Sequence, residues 1–141
     1  MLLLLLPCTM YGQTKAKIKM KSAPATSSML AASLERGKAV YAANCLTCHQ
    51  ADGSGVPNMN PPLQQTKWTL GPAKTIIGMI LKGSHGKVEI DEETFSNTMP
   101  AQPHLTNQQL ADVLTFVRKS FGNNAGAVTP SMVKTVRDKF K

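Results

Sequence analysis

Cys45-Leu46-Thr47-Cys48-His49 is the stretch on which the reading of this chain turns. Two thiols separated by two residues, with an imidazole directly after the second, form the pattern that attaches a c-type haem. The thiols add across the two porphyrin vinyl groups while the histidine reaches the iron, so five residues supply both tether and proximal ligand. The same cysteine spacing also occurs in dithiol redox switches and as half of a zinc site. A zinc site needs a second ligand pair at suitable spacing, and the only other cysteine in the chain is Cys8. A thioredoxin-like dithiol wants a βαβ pattern around it. Here Cys45 follows a helical stretch and precedes a Gly/Pro-rich loop.

Working outward, 141 residues with 42% hydrophobic content make one small domain plus extensions. Only 5% of residues are aromatic, which is thin for a core of this size, and a buried haem would supply the missing apolar bulk. Residues 1–12 begin with an apolar run, Leu2 to Leu6, far too short to span a bilayer. They read as a signal-peptide remnant without its basic region, cleaved near Gly12. Lipid modification at Cys8 is the alternative, although Pro7 directly before it fits a lipobox poorly. Residues 13–30 carry Lys15, Lys17, Lys19 and Lys21 followed by Ser, Ala, Pro and Thr, the composition of a flexible Lys-rich linker. Those four lysines account for half of the formal net charge of +8, and two ionised propionates would leave the folded part at about +2. Nucleic acid is therefore not an expected partner. A mildly basic face suits an acidic redox protein instead, and membrane association is expected only through the N-terminus.

The folded part is expected at 31–125, with a C-terminal helical extension at 126–141. Ser33 suits an N-cap, Arg36 to Ala43 favours helix, and Leu30, Leu34, Gly37 and Tyr41 share one face. Gly37 costs about 1 kcal/mol against alanine inside a helix, a cost that makes sense where another helix crosses closely. The partner is Thr106 to Phe121, where Leu110, Val113, Leu114, Val117 and Phe121 form an apolar stripe between a capping Thr106 and a terminating Gly122. Pro72 to Leu81 is a short third helix with Pro at its first position and Gly83 beyond its end. Residues 84–103 read as loop or short hairpin, with a strand at Lys87 to Ile90. A last helix follows Thr129 and Pro130, amphipathic through Val133, Val136 and Phe140.

These elements in this order, with CxxCH after the first helix, resemble class I c-type cytochromes of bacterial respiratory and dehydrogenase chains. The resemblance covers about Leu34 to Phe121 and rests on RGKAVYAANCLTCHQADGSGVPNMNPPL, TMPAQP and LTNQQLADVLTFVRKSFGN. It implies an all-α cytochrome c fold, three to five short helices wrapped around one covalently attached haem c. The N- and C-terminal helices cross, with Gly37 and Tyr41 opposite Val113 and Phe116.

The resemblance also implies a set of haem contacts. Cys45 and Cys48 hold the haem c and His49 is one axial ligand. Met99, 50 residues later in the non-helical segment Asn97-Thr98-Met99-Pro100-Ala101, matches the methionine loop that supplies the other. A thioether opposite imidazole raises the potential, whereas a second His lowers it and an open site binds substrates. Among the competitors, Met79 sits with isoleucines on a helix and reads as core, and Met59 lies in a loop near the haem edge. His85 and His104 are loop residues that read as solvated. A ligating imidazole donates its other N–H to a carbonyl, for which Pro62 is the matching position. Leu63 would pack on the porphyrin, and Trp68 would donate to a propionate or simply cover the surface.

The extra length from Lys82 to Ser96, with Asp91, Glu92 and Glu93, resembles cytochromes found with quinoprotein sugar or alcohol dehydrogenases and some oxidases. The expected function is a monohaem electron carrier, exported or periplasmic, moving single electrons from a dehydrogenase donor to an oxidase or cytochrome acceptor. Such a protein has no catalytic residues of its own and is not an enzyme. Two alternatives stand beside it: an electron-accepting cytochrome subunit of a periplasmic dehydrogenase complex, and a haem sensor or peroxidase-like protein with an open sixth site. Met99-Pro100 argues against the latter.

Overall fold

A 21-residue helix, α1 (Pro24–Asn44), leads directly into the CxxCH segment. The computed structural model describes residues 24–140; the expected signal remnant at 1–12, with Cys8, and residues 13–23 of the expected linker lie outside the described residues. Residues 24–30, expected as linker, are helical. Met29, Leu30, Ala31 and Ala32 are strong helix formers that carry the helix through the neighbouring serines. Ser33 accordingly lies inside α1 rather than capping it, and its hydroxyl donates to Asp112 Oδ1 at 2.6 Å.

After α1 come two single-turn helices, α2 (Leu46–His49) and α3 (Lys67–Leu70), then α4 (Ala73–Lys82). A two-stranded antiparallel hairpin follows, β1 (Val88–Ile90) and β2 (Glu93–Phe95), with Ile90 opposite Glu93. The chain ends in α5 (Asn107–Lys119), α6 (Pro130–Arg137) and a 3₁₀ turn at Asp138–Phe140. The fold is mostly helical, but with six α-helices among the described residues rather than three to five. The excess is α2 and α3, four residues each, too short for any apolar periodicity to register. Pro72 stands at the N-cap of α4 with extended backbone, one position earlier than expected.

The crossing of α1 on α5 organises the molecule. An added Cβ at Gly37 would lie 2.1 Å from the Asp112 carbonyl oxygen and 2.8 Å from Phe116 Cβ. The glycine therefore meets Asp112 and Phe116; Val113, expected opposite it, turns inward and is buried. Tyr41 stacks at 5.5 Å on Phe116 and 5.3 Å on Phe121, and these two meet edge-on. Phe121 reaches this cluster from beyond the end of α5, through a left-handed backbone (φ 57°), rather than as the last rung of the helical stripe. At the same crossing the buried Asp112 carboxylate accepts from Ser33, from Arg36 at 2.7 and 3.0 Å, and from Gln108 at 3.0 Å. Burial works to raise its pKa, and these bonds together outweigh burial, so the carboxyl sits below the ordinary Asp value.

Thr106 and Gln109 form a reciprocal capping box that starts α5. Leu110, Val113, Leu114 and Val117 are buried with Ile77 of α4 and Val133 of α6 in one core. Phe140, expected on the apolar face of the last helix, is half exposed beneath the Lys82 ammonium, which lies 4.1 Å from its ring centroid.

Candidate functional site

The turn that closes α2 fixes His49. The His49 backbone is held on both sides: its N–H donates to Cys45 O at 2.9 Å, and its carbonyl accepts from Gly55 N at 3.1 Å. The buried ring places Nδ1 3.0 Å from the Pro61 carbonyl oxygen. A carbonyl only accepts, so Nδ1 carries the proton and Nε2 keeps its lone pair. Burial lowers the His49 pKa and the Pro61 bond opposes it, with burial winning, so the site favours the neutral ring. The carbonyl is that of Pro61, not of Pro62 as expected. Gly55 explains the choice: its backbone is left-handed (φ 68°), and a Cβ there would press within 2.3 Å of Asn60 O and 2.6 Å of Pro61 O. A bare Cα lets the loop fold tightly enough to bring that one carbonyl under the ring.

Cys45, Cys48 and His49 open onto a cavity of about 130 Å³ whose lining also includes Pro62, Leu63, Trp68 and Met99. The seven residues expected to hold the haem thus line one cavity. The rest of the wall is mostly apolar, with Ile76, Met79 and Ile80 from α4, Val113, Leu114 and Val117 from α5, and Val88, Ile90 and Phe95 from the hairpin, while Asn60, Ser84, Asn97 and Gln102 are among its polar members. One water needs about 10–15 Å³ on this scale, and protein interiors hold few voids larger than a water. A cradle many times that size with walls that offer water little to bond fits a flat, apolar prosthetic group.

One buried polar group fits the same cofactor. Trp68 Nε1 is buried and has no hydrogen-bond partner among the described residues, a donor placed to meet an anionic edge such as a propionate. The dithiol reading loses ground: burial, followed by the neighbouring Cys48, pushes the Cys45 thiol up to about 11. A reactive dithiol needs its thiol pKa lowered. Among the described residues no cluster of three or more His, Cys, Asp and Glu is arranged to hold a metal ion.

The candidates for a second axial ligand separate by position. Met99 and Met79 line the cavity, whereas Met59, His85 and His104 do not. Met99 stands on irregular backbone tied to the end of α4, where Ser84 N donates to Met99 O at 2.9 Å and Met99 N to Ser84 O at 3.2 Å. Its segment is also stitched to the loop that bears Pro61. Asn97 N donates to Met59 O at 3.0 Å and Asn97 Nδ2 to Asn60 Oδ1 at 3.0 Å.

Several contributors escaped sequence reading. Thr66 caps α3 and so turns Trp68 toward the cavity. The buried Arg118 holds this turn, Nη1 donating to Thr69 O at 2.6 Å and Gly71 O at 2.8 Å. Asn123 clamps the Leu63 carbonyl at 2.8 Å and accepts from Gln65 N at 2.7 Å. A threonine directly before a helical turn, as at Thr66, was a readable cap signal; the long-range acceptors of Arg118 and Asn123 had none.

A tethering cysteine pair beside a neutral, oriented imidazole in an apolar cradle defines a haem-binding electron-transfer domain. The chain belongs to the cytochrome c family, whose model matches residues 34–121. Similar proteins include the cytochrome c subunit of the quinone alcohol dehydrogenase of Gluconobacter oxydans, 34% identical over 103 residues, covering 72% of this chain and 22% of that protein. The fructose dehydrogenase cytochrome subunit of Gluconobacter japonicus is 31% identical over 141 residues, covering 89% and 29% respectively. Cytochrome c-552 of Thermus thermophilus is 28% identical over 91 residues, 62% of this chain and 69% of that protein. The chain thus spans about a quarter of the length of the dehydrogenase subunits it matches. Its cofactor is covalently bound haem c, with Cys45 and Cys48 at the attachment spacing, and its role is electron transfer.

Proposed function

We propose that this chain is a monohaem carrier of single electrons whose haem c is held by Cys45 and Cys48 and ligated by His49 and Met99. The observation that carries the reading is the convergence of these four side chains on one apolar cavity, with His49 locked by Pro61 in the tautomer that frees Nε2. The bound haem supplies a one-electron Fe(II)/Fe(III) couple. The protein's part is to hold still. Pro61 fixes the imidazole ring, the Ser84 pairing fixes the backbone of Met99, and Trp68 offers its indole N–H to a propionate. Ile76, Val113, Leu114 and Phe95 keep water from the cavity, so that little polar rearrangement accompanies a change of charge. Pro62 and Leu63 form the wall beside the histidine. None of these residues is asked to act as acid, base or nucleophile.

Export to the periplasm and protein partners on either side, a dehydrogenase donor and an oxidase or cytochrome acceptor, complete the proposal. No described helix is long and apolar enough to cross a membrane. A second reading, the electron-accepting subunit of a dehydrogenase complex, is favoured by the Gluconobacter relatives, which are cytochrome subunits of an alcohol and a fructose dehydrogenase. Expression with a haem-maturation system tests the first reading: one haem should stay with the denatured chain and titrate as a reversible one-electron couple. Haem extracted by acid and organic solvent would refute it. Copurification with a dehydrogenase from the native membrane or periplasm would select the second.

A further inference from the structure

The C-terminal extension lies beyond residue 121, where the match to the family ends, yet it packs against α4 and α5, two helices that line the cavity. α6 packs on both α4 and α5 and buries Val133 and Val136. From its last turn, Arg137 spreads its guanidinium over three acceptors. Nε donates to Asn107 Oδ1 at 2.9 Å, Nη1 to Pro103 O at 3.0 Å and Nη2 to Leu105 O at 2.6 Å. Asn107 opens α5, while Pro103 and Leu105 lie in the irregular segment that runs from Met99 to that helix.

That segment has two kinds of anchor. At its start the Ser84–Met99 pairing and the bond from Gln102 N to Ile80 O at 2.9 Å attach it to α4. At its end, Arg137 joins two of its carbonyls to the first residue of α5. A planar fork of five donors can span acceptors two residues apart together with a third, which a single ammonium does not reproduce.

We infer that Arg137 is a positioning residue for the sixth ligand: the extension braces the Met99 segment so that the thioether stays on the iron. The inference rests on Met99 being that ligand. A neutral thioether competes with any other donor that reaches ferric iron, and a competitor enters only when the segment swings away. The rarer that open form, the weaker the competitor's apparent binding. Cutting the brace therefore makes the open form commoner without touching the metal.

The test is a titration of the full-length, haem-loaded ferric protein with imidazole, followed through the weak far-red Met-to-Fe(III) band. For Arg137→Ala the half-saturating imidazole concentration should fall about tenfold, equivalent to about 1.4 kcal/mol in the opening of the segment. Arg137→Lys should lie between the variant and wild type. Val136→Ala, on the same helix but facing the core, should lower the melting temperature and leave the imidazole midpoint within about twofold. A midpoint in Arg137→Ala equal to wild type overturns the inference. So does a pair of variants whose midpoints shift only in proportion to their loss of melting temperature, which would make the extension general scaffold. Absence of the far-red band from wild type overturns the Met99 reading, and this inference with it. Should Arg137→Ala not fold, Arg137→Lys against Val136→Ala decides by the same comparison.

Discussion

Replacing Gly37 by alanine should destabilise the protein although it improves the helix. The added Cβ would lie 2.1 Å from the Asp112 carbonyl oxygen, 2.7 Å from its carbon and 2.8 Å from Phe116 Cβ. Two of these atoms are helix backbone and have no rotamer to change, so α1 has to retreat from α5 by about 1 Å to regain ordinary contact. Alanine returns about 1 kcal/mol of helix propensity. Against this stand about 1–3 kcal/mol for overpacking and a further 1–3 kcal/mol as the buried bonds from Ser33 and Arg36 to Asp112 stretch. The net loss is about 1–5 kcal/mol, which for a domain of this size lowers the melting temperature by about 4–20 °C. Gly78 supplies the control inside α4. A Cβ there meets only Phe140 Cζ at 3.5 Å, so Gly78→Ala should raise stability by about 0.5–1 kcal/mol. Thermal unfolding of both haem-loaded variants by circular dichroism is the assay. A Gly37→Ala protein as stable as wild type would refute the close-crossing argument.

Further outcomes follow from other parts of the structure. Trp68→Phe keeps the ring but removes the unpartnered N–H, and should cost about 0.5–1.5 kcal/mol of holo-protein stability together with a measurable shift in midpoint potential; a variant matching wild type in both would leave Trp68 as cover only. Asp112 has a folded pKa below its ordinary value, so its stabilisation is full above the unfolded carboxylate value of 3.8 and is lost as pH falls through the lower folded value. Acid unfolding of Asp112→Asn should therefore be less steep in that window than wild type, and an unchanged slope would contradict the assignment. In the hairpin, Glu92 occupies left-handed backbone (φ 70°), so Glu92→Gly should stabilise by about 0.5–1 kcal/mol in denaturant titration; a loss of stability would show the turn to be formed differently.

Much of the fold was legible because it is written in short-range patterns. The α5 stripe, its Thr106 cap and the glycine cost at Gly37 each follow from neighbours a few residues apart, and all three locate the crossing correctly. The start of α1 was not, since caps and propensity gave conflicting signals between Ser27 and Ser33. The hairpin turn was equally silent: Asp91 and Glu92 both adopt positive φ without the Asn-Gly signature such a turn usually carries.

At the site, the CxxCH spacing named Cys45, Cys48 and His49 directly. The choice between Pro61 and Pro62 was beyond sequence, because adjacent carbonyls point in different directions and only the Gly55 contact decides between them. Met79 was read as core and does belong to the α4 wall, yet that wall borders the same cavity as Met99. The bonds described above for Arg118, Asn123 and Arg137 join residues from 30 to 60 positions apart, a range at which no local pattern announces a partner.

The central claim, a haem held between His49 and Met99, meets its most direct test in the ferric optical spectrum of the matured protein compared with Met99→Ala and Met79→Ala. The far-red Met-to-Fe(III) band should be present in wild type, absent from Met99→Ala and retained in Met79→Ala. Its survival in Met99→Ala, or its loss in Met79→Ala alone, would contradict the ligand assignment.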